Sequence, residues 1–497
     1  MLKHTLTYYH DSARLFAPIA HMPWAMMLDS GQAINPLTGK AGSQYGRYDI
    51  MVAEPFITLV TNGKYTTITK NAKVEYSEED PFLLLKSILA PYKTPKVGVL
   101  FPDGGSPVAG TTLPFAGGAV GYFAYDLGRR LEKLPNQALP AAGIPEMMVG
   151  VYDWAVVVDH REKCSHLISH GFNDDTHQDW IRLQALFDNA SRAPLNNVDA
   201  NDVDTSNIDL SRFQVKSDVE SNLPEPKYKT AFSKVKNYIK EGDCYQVNLA
   251  QRFSAQVKGD SWQMYQKLRE ISPAPFMAYM QLPLNKNENF QVLSDSPERF
   301  LQTTGAHVET RPIKGTRPRS GDAVQDIAYS NELLTSLKDK AENLMIVDLL
   351  RNDLSKTCAI GSVKVNKLFQ LQSFANVHHL TSIVVGKLKP NNTSVDVLRA
   401  SFPGGSITGA PKLRAMEIIE ELEPHRRELY CGAIGYVGFD GDMDTNITIR
   451  TAIVCNNELS FYAGGGIVAD SEEHKEYLET LDKASSFSKI IKLFTQV

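Results

Sequence analysis

Lys314 and Glu298, 16 residues apart, have the residue types of a nucleophile and an acid. Lys314 lies in RPIKGTRPR, and a lysine amine attacks only when neutral, which at neutral pH requires a pKa well below its ordinary ~10.4. Burial would lower this pKa, and so would nearby positive charges. Three arginines of the same stretch supply such charges: Arg311, Arg317 and Arg319. Because a lysine flanked by proline and glycine is more often solvated than reactive, the stretch alone leaves the role of Lys314 open.

The segment between the two residues predicts how they meet. It reads FLQTTGAHVETRPI, is rich in β-forming residues and contains the turn sequence TTGA. Two antiparallel strands joined by this turn would return Lys314 to the neighbourhood of Glu298. The spacing therefore predicts an acid and nucleophile pair on a β-hairpin scaffold.

Two predicted helices carry carboxylates along one face. ELLTSLKDKAENLMIVDL places Asp339 and Glu342 one turn apart, and EEHKEYLETLDKAS aligns Glu476, Glu479 and Lys483. Taken singly, each is more often a solvated helix face. Taken together, the two faces could supply the hard oxygen ligands of Mg²⁺, which uses one or two protein carboxylates.

Two glycine-rich segments could bring backbone N–H groups to an anion. FPGGSITGAPK does not fit a phosphate loop, because Ala410 and Pro411 separate the last glycine from Lys412. A carboxylate site and a tight structural turn remain equally open there. The second segment is AGGGIVADS. Arg450, in TNITIRTAIV, would need an anionic partner if buried, whereas His379, in VHHLTSIVV, is more commonly a packed imidazole.

The composition is that of a globular protein. The 497 residues are 42% hydrophobic and 22% charged, which disfavours a disordered or membrane protein. No apolar run approaches the ~20 residues of a membrane helix, and the N-terminus lacks the pattern of a signal peptide. A net charge of −5 gives no basic footprint for nucleic acid, and five cysteines without a CxxC pair indicate reduced thiols. We therefore expect a cytoplasmic protein.

Composition changes divide the chain into three parts. Residues 1–190 alternate β-rich runs with turns and a few helices, and residues 191–225 are rich in Asn, Asp and Ser, as in a flexible linker or surface excursion. Residues 226–497 return to dense patterning and hold most of the motifs. GAVGYFAYD at 118–126 and GAIGYVGFD at 432–440 agree at five of nine positions, which suggests two related α/β halves with antiparallel sheets. The absence of βαβ alternation disfavours a Rossmann domain.

A series of motifs in fixed order resembles one enzyme family. The motifs are CYQVNLAQRF, SPERF, RPIKGT, AENLMIVDLLRNDL, FPGGSITGAPK, GYVGF, TNITIRTA and AGGGIVADS. This order is similar to that of the chorismate-utilising enzymes, which include the large subunits of anthranilate synthase and aminodeoxychorismate synthase and the isochorismate and salicylate synthases. The similarity covers residues 226–490, with a weaker one in the N-terminal part. It implies an α+β, anthranilate-synthase-like fold with two α/β subdomains, whose stacked, mainly antiparallel sheets are covered by helices.

Within the family, PIKGT resembles the aminodeoxychorismate synthases, because the anthranilate synthases usually have alanine at the position of Lys314. The resemblance implies that the amine of Lys314 attacks C2 of chorismate, that Glu298 protonates the departing C4 hydroxyl, and that ammonia then adds at C4. Anthranilate synthase component I is the nearest alternative. A Schiff-base lysine for pyridoxal phosphate and a non-catalytic metabolite-binding module are the alternatives from other classes.

The resemblance also implies a metal and a set of substrate contacts. Mg²⁺ would be held by Glu342 and Glu479, with Asp339 and Glu476 nearby and acting through water. Nine residues match substrate-binding positions: Gln246, His379, Ser406, Tyr436, Arg450, Gly464, Gly465, Gly466 and Lys483. In isochorismate synthases a water-activating lysine stands where this chain has Gln246, so water is disfavoured as the nucleophile.

Two further expectations concern partners. Eight residues resemble the tryptophan pocket of the family: Ser30, Tyr45, Gly46, Arg47, Tyr48, Pro275, Phe276 and Met277. The insert NPLTGKAGSQ next to them leaves it open whether tryptophan binds. Because no glutaminase signature occurs in the sequence, ammonia is expected from a separate glutamine amidotransferase subunit.

Overall fold

The structure, a computed structural model of the chain, describes residues 1–31, 46–96, 112–190, 211–374 and 377–495. Within these ranges the strands are β1 (Leu2–Leu6), β2 (Ala25–Asp29), β3 (Tyr48–Val52), β4 (Ile57–Asn62), β5 (Tyr65–Lys70), β6 (Lys73–Ser77), β7 (Gly118–Phe123), β8 (Met147–Tyr152), β9 (Trp154–Asp159), β10 (Cys164–Ser169), β11 (Gln214–Val215), β12 (Glu220–Ser221), β13 (Gln246–Lys258), β14 (Phe276–Pro283), β15 (Asn289–Ser296), β16 (Arg299–Thr304), β17 (His307–Thr310), β18 (Ile313–Pro318), β19 (Lys364–Ser373), β20 (Val377–Lys387), β21 (Gly409–Ala410), β22 (Ala433–Gly438), β23 (Met443–Asn446), β24 (Thr451–Cys455) and β25 (Glu458–Ile467). The helices are α1 (Ala13–Phe16), α2 (Pro81–Leu89), α3 (Asp174–Gln178), α4 (Trp180–Asn189), α5 (Glu225–Glu241), α6 (Ser261–Ile271), α7 (Ala323–Thr335), α8 (Leu337–Ser355), α9 (Ser394–Ser401), α10 (Lys412–Leu422), α11 (Glu473–Lys483) and α12 (Ser485–Thr495).

The strands form two large antiparallel sheets. Sheet I has the order β1-β10-β9-β3-β2-β14-β15-β24-β25-β13-β11, with β12 and β21 also paired to β13. Sheet II has the order β18-β20-β17-β16-β23-β22-β7-β8-β4-β5-β6, with β19 paired to β20. In sheet I the glycine-rich β25 lies between β24 and β13, so AGGGIVADS begins inside the sheet.

The two sheets stack face to face with helices on their outer sides. The apolar cluster between them joins β2 and β14 of sheet I to β7, β8 and β22 of sheet II through residues such as Met26, Met280, Tyr122, Met148 and Ile434. The outer face of sheet I packs against α1, α4, α6 and α12, and that of sheet II packs against α2, α8, α9 and α10. The predicted α+β fold with stacked antiparallel sheets covered by helices is confirmed.

The helix that carries Glu342 follows from its sequence. The Ser336 side chain caps α8 by accepting a hydrogen bond from the Asp339 N–H, which satisfies one free donor of the first turn. Ile346, Val347, Leu350 and Leu354 recur at helical spacing and are buried. This apolar face packs on sheet II and leaves the first turn of the helix at the edge of the core.

Both sheets contain strands from both ends of the sequence. Strands β7 and β22, which carry the two similar glycine-rich segments, pair antiparallel in sheet II, with Gly118 opposite Gly438 and Phe123 opposite Ala433. Of the predicted linker, residues 191–210 lie outside the described residues, and residues 211–225 contain β11, β12 and the first residue of α5. Both short strands pair with β13.

The state of the cysteines and the character of the helices bear on the class of protein. All five cysteines are buried and unbridged, as the sequence predicts. Within the described ranges, no helix combines the length and apolar character that a membrane crossing requires.

Candidate functional site

Lys314 projects from an irregular point of sheet II. The register of β18 against β20 shifts between Ile313 and Thr316, and Gly315 between them has a φ of +80°. A Cβ at Gly315 would lie 2.7 Å from Leu333 Cδ1 and 2.9 Å from Asp339 Cγ, so a side chain does not fit there. This bulge gives the lysine its direction, and its Nζ donates a hydrogen bond of 3.0 Å to the main-chain oxygen of Ser406.

Glu298 reaches the same place from the turn between β15 and β16. Strands β16 and β17 pair antiparallel around Gly305 and Ala306, which is the hairpin that the sequence predicts. Glu298 is only 6% exposed, and burial raises the pKa of its carboxyl to about 6, against the opposing effects of Lys314 and the Ser406 side chain. The carboxyl is therefore partly protonated near neutral pH, as an acid requires.

Burial lowers the pKa of Lys314, and the positive charge of Lys483 acts in the same direction. Glu342, Glu298 and Glu479 oppose this change. The three neighbouring arginines, which the sequence predicts to lower the pKa of Lys314, are not its main cause, because each arginine forms an ion pair with a carboxylate. Their carboxylate partners are Glu309 for Arg311, Glu332 and Asp339 for Arg317, and Asp326 for Arg319.

Carboxylates from α8 and α11 face this pair, and each is accompanied by a lysine. Glu342 of α8 is half-buried, and burial raises its pKa against the charges of Lys314 and Lys338. Glu479 of α11 pairs with Lys483 at 2.6 Å, and although burial acts to raise its pKa, the charge of that lysine holds the pKa below its ordinary value.

Glu476, one turn before Glu479, is almost fully buried. Its Oε1 accepts a hydrogen bond of 2.6 Å from the Ser471 hydroxyl. The same oxygen lies 3.5 Å from Lys338 Nζ, which also lies 3.9 Å from Glu342 Oε1. Asp339 instead pairs with Arg317 at 3.2 Å. Three of the four predicted metal-site residues, Glu342, Glu476 and Glu479, therefore contact lysines between α8 and α11, a region that we call the cleft, and Asp339 contacts an arginine.

The three glycines of β25 form a narrow wall beside these carboxylates. A Cβ on Gly465 would lie 3.1 Å from Glu476 Oε2 and 3.4 Å from Glu479 Oε1, and one on Gly466 would overlap the amide nitrogen of Gln246. Lys483 Nζ donates to the Gly464 oxygen at 2.9 Å. Glycine is thus needed because the carboxylates and Gln246 pack directly on the strand.

Gln246, at the start of β13, presents an unsatisfied acceptor. The residue is 2% exposed, and its Oε1 has no hydrogen-bond partner in the part of the chain that the structure describes. A buried polar atom without a partner is costly, which indicates that something else supplies the hydrogen bond.

His379 and Arg450 differ in charge and in hydrogen bonding. His379 is buried, its Nδ1 lies 2.9 Å from Thr316 Oγ1, and burial, followed by the charge of Arg450, lowers its pKa to about 3. It is therefore neutral at physiological pH. Arg450 has a φ of +48°, is half-buried, and its guanidinium makes no hydrogen bond or ion pair with another described residue. A free guanidinium in this position suits a carboxylate ligand.

Tyr436 is not brought together with these residues. Its ring lies 5.3 Å from that of Phe115 and lines a different cavity, on the side of the predicted tryptophan pocket. Tyr436 alternates with Gly435 on β22, and its face of the strand points into the space between the sheets. The motif GYVGF gives no sign of which face a tyrosine takes, because both faces of β22 are buried.

The residues of the predicted tryptophan pocket line a cavity of about 290 Å³. They are Ser30, Gly46, Arg47, Tyr48, Pro275, Phe276 and Met277, and Tyr45 lies outside the described residues. Arg47 forms a bidentate pair with Asp159 and stacks 4.6 Å above the ring of Tyr48. Neither this cavity nor the adjoining one of about 250 Å³ is lined by Lys314 or Glu298.

Sequence reasoning missed three residues that hold the site in place. Lys338 contacts two of the carboxylates, Ser471 binds Glu476, and Thr316 orients His379. Of these three, only the contact of Lys338 could be predicted from the sequence, because Lys338 precedes Glu342 by four positions on one helix, which is the spacing of a helical ion pair.

Glu342 and Glu479 carry hard oxygen donors of the kind that a divalent cation such as Mg²⁺ prefers. Among the described residues, no three His, Cys, Asp or Glu side chains are arranged as a complete ligand set. Mg²⁺, however, typically takes only one or two protein carboxylates and completes its shell with water and substrate oxygens. Glu342 of α8 and Glu479 of α11 come from different helices, and the charges of Lys314 and Lys338 act on the pKa of both, so these two carboxylates would suit such a partial shell.

Comparison with known proteins decides the family. The family described as chorismate binding enzyme matches residues 56–489. The chain belongs to the chorismate-binding enzyme family. A relative from Escherichia coli strain K12, aminodeoxychorismate synthase component 1, is 44% identical over 98% of this chain and 97% of its own length. Anthranilate synthase component 1 of Bacillus subtilis strain 168 is 34% identical over 90% of this chain and 85% of its own length.

A solved structure agrees with this assignment. Anthranilate synthase component I from Streptococcus pneumoniae TIGR4 superposes with a TM-score of 0.73 at 31% identity, covering 90% of this chain and 93% of that protein. The chorismate-binding family and its fold are therefore established for this chain by sequence and by structure, and the protein is an enzyme that acts on chorismate.

Proposed function

We propose that this enzyme is the component of aminodeoxychorismate synthase that converts chorismate and ammonia to 4-amino-4-deoxychorismate, a precursor of 4-aminobenzoate and folate. The observation that carries the proposal is that a half-buried amine, Lys314, and a buried carboxyl, Glu298, lie close enough for each to act on the pKa of the other. The 44% identity to aminodeoxychorismate synthase component 1 supports the same activity.

The two pKa changes suit a two-step exchange of hydroxyl for amine. The neutral amine of Lys314 forms a bond to C2 of chorismate, the ring π electrons shift toward C4, and the C4–O bond breaks. Glu298 gives its proton to the departing hydroxyl, which leaves as water. Ammonia then forms a bond to C4, the π electrons shift back, the C2–N bond breaks, and Glu298 recovers its proton from the added nitrogen.

The surrounding residues suit a substrate with two carboxylates. The unpaired Arg450 and the backbone of Gly464 to Gly466 would receive the enolpyruvyl carboxylate, with Lys483 beside it. Glu342 and Glu479 would hold Mg²⁺, which when bound would neutralise and orient the ring carboxylate. Neutral His379 would lie against the ring without adding charge.

Two partners belong to the proposal. Ammonia would come from glutamine through a separate amidotransferase subunit, in keeping with the component numbering of the relatives. The cavity of about 290 Å³ would hold tryptophan, because its volume suits one small ligand. Its apolar residues Pro275, Phe276 and Met277 lie beside the polar Ser30. We place the enzyme in the cytoplasm.

Product identity tests the activity. The purified protein, incubated with chorismate, an ammonium salt and Mg²⁺, should form aminodeoxychorismate, detected by chromatography and mass. Anthranilate as the main product would overturn the proposal and favour anthranilate synthase activity, which is the activity named for the 34% identical relative.

Replacement of the lysine tests the mechanism. Lys314→Ala should lower the rate of product formation at least about 100-fold, because it removes the nucleophile. Lys367→Ala removes the same charge from the exposed edge strand β19 and should leave the rate unchanged. A mass increment on Lys314 in acid-quenched enzyme would report the covalent intermediate, and a Lys314→Ala variant with full activity would exclude it.

A further inference from the structure

Lys338 stands between two carboxylates of the proposed metal site. Its Nζ lies 3.9 Å from Glu342 Oε1 on the same helix and 3.5 Å from Glu476 Oε1 on α11. Direct ammonium–carboxylate hydrogen bonds are about 2.7–2.9 Å long, so this ammonium is shared between two acids and committed to neither. It links α8 to α11 across the cleft.

The position of Lys338 on its helix is unfavourable apart from this contact. The residue is the second of α8, two positions after the Ser336 cap. The first turn of a helix carries a partial positive charge and favours acids, so a lysine there gains nothing from the helix dipole. Its ammonium is held by the carboxylates across the cleft, and their charges raise its pKa despite partial burial.

We propose that in the substrate-free enzyme the Lys338 ammonium neutralises Glu342 and Glu476 beside the proposed metal site, and that it withdraws when the metal binds to Glu342 and Glu479. The inference rests on the Mg²⁺ site of the proposed function. Two positive charges cannot share these carboxylates at close range without strong repulsion. The Lys338 side chain is 51% exposed, so its flexible stem can turn the ammonium into solvent.

This exchange would couple metal binding to substrate binding. In the substrate-free enzyme the lysine competes with the metal for the Glu342 carboxylate and weakens metal binding. Chorismate brings negative carboxylates that favour the doubly charged metal over the singly charged ammonium. By linkage, the metal strengthens chorismate binding by the same factor. Lys338 would act as a positioning residue, because it holds Glu476 and Glu342 in place before the metal arrives.

Mn²⁺ binding to the full-length protein tests the proposal without relying on turnover. The free-Mn²⁺ electron paramagnetic resonance signal, titrated with and without chorismate, gives the Kd in both states. Lys338→Met should bind Mn²⁺ about tenfold more tightly than the unmodified enzyme in the absence of chorismate. The factor by which chorismate tightens Mn²⁺ binding should grow in this variant, because the metal no longer replaces an ammonium that itself attracts the chorismate carboxylates.

Two matched variants separate this effect from a general change of charge. Lys475→Met removes a lysine from α11 that pairs with Glu472 at 2.7 Å on the exposed side, and it should leave the Mn²⁺ Kd within about twofold. Lys338→Arg keeps the competing cation and should resemble the unmodified enzyme. If Lys338→Met does not fold, Lys338→Gln removes the charge with a polar side chain.

The outcomes distinguish the inference from the proposed function. Unchanged or weaker Mn²⁺ binding by Lys338→Met, or an equal gain by Lys475→Met, overturns the role of Lys338 while leaving the metal site standing. Failure of the unmodified enzyme to bind Mn²⁺ even with chorismate overturns the metal site, and the inference with it.

Discussion

Glu298→Gln should make the enzyme more stable at neutral pH while nearly abolishing its activity. The carboxyl is 6% exposed, and burial raises its pKa from 4.5 to about 6. One pKa unit corresponds to 1.36 kcal/mol, so the ionised carboxylate costs the folded state about 2 kcal/mol at pH 7. A glutamine has nearly the same shape and carries no charge, so this cost should disappear.

The sign of the pH dependence follows from the raised pKa. Below pH 4.5 the carboxyl is protonated in both folded and unfolded chains, and the two proteins should be equally stable. As pH rises from 4.5 through about 6, the unfolded chain loses its proton more readily, and the unmodified protein loses stability relative to the variant. Above pH 6 the difference should stay constant at about 2 kcal/mol.

Two measurements check this prediction. Urea unfolding at pH 4.5 to 8 gives the difference in free energy, and product formation from chorismate and ammonium gives the activity, which should fall about 10²- to 10⁴-fold with loss of the acid. In the unmodified enzyme, loss of the proton donor should limit the activity as pH rises above about 6, while the growing neutral fraction of Lys314 acts in the opposite direction. A Glu298→Gln variant that is less stable at pH 7, or that keeps its activity, would refute the reasoning.

Two further substitutions test the packing around the site. Gly466→Ala should raise KM for chorismate at least about tenfold, because the new methyl group overlaps Gln246, whereas Gly321→Ala, with open space around it, should leave KM unchanged. Arg427→Met should lower the free energy of unfolding by about 3–5 kcal/mol in urea titrations, because it leaves Glu423, now paired at 2.6 Å, as an isolated buried carboxylate. Adding Glu423→Leu should recover part of this loss, and a single variant as stable as the parent would contradict the prediction.

The sequence predicted the parts of the site that depend on short-range order. The hairpin between Glu298 and Lys314, the helices of Glu342 and Glu479, and the glycine-rich strand are local patterns with a fixed period. What lies across from them depends on the pairing of distant strands, which no local pattern encodes. The burial that lowers the pKa of Lys314 is one such property, and the arginines that looked responsible are neutralised by carboxylates up to 22 residues away.

Tyr436 also shows what a local sequence pattern cannot predict, here within a single strand. The alternation of β22 is hidden because both of its faces are buried, so the sequence indicates a strand without saying which side chains meet the cleft. Lys338 has one contact that the sequence predicts and one that it does not. Its helical spacing to Glu342 was readable, but its contact with Glu476, more than a hundred residues later, needed the fold.

The pairing of β7 with β22 has a consequence for how the chain reaches its native state. More than 300 residues separate these neighbouring strands, and β2 of sheet I similarly waits for β14, which follows it by about 250 residues. Contacts of such high sequence separation close large loops and slow folding. During synthesis the N-terminal strands would leave the ribosome with unpaired edges, which invites aggregation. Neither end of the chain can complete a sheet alone, so the active site should form only as one of the last events of folding.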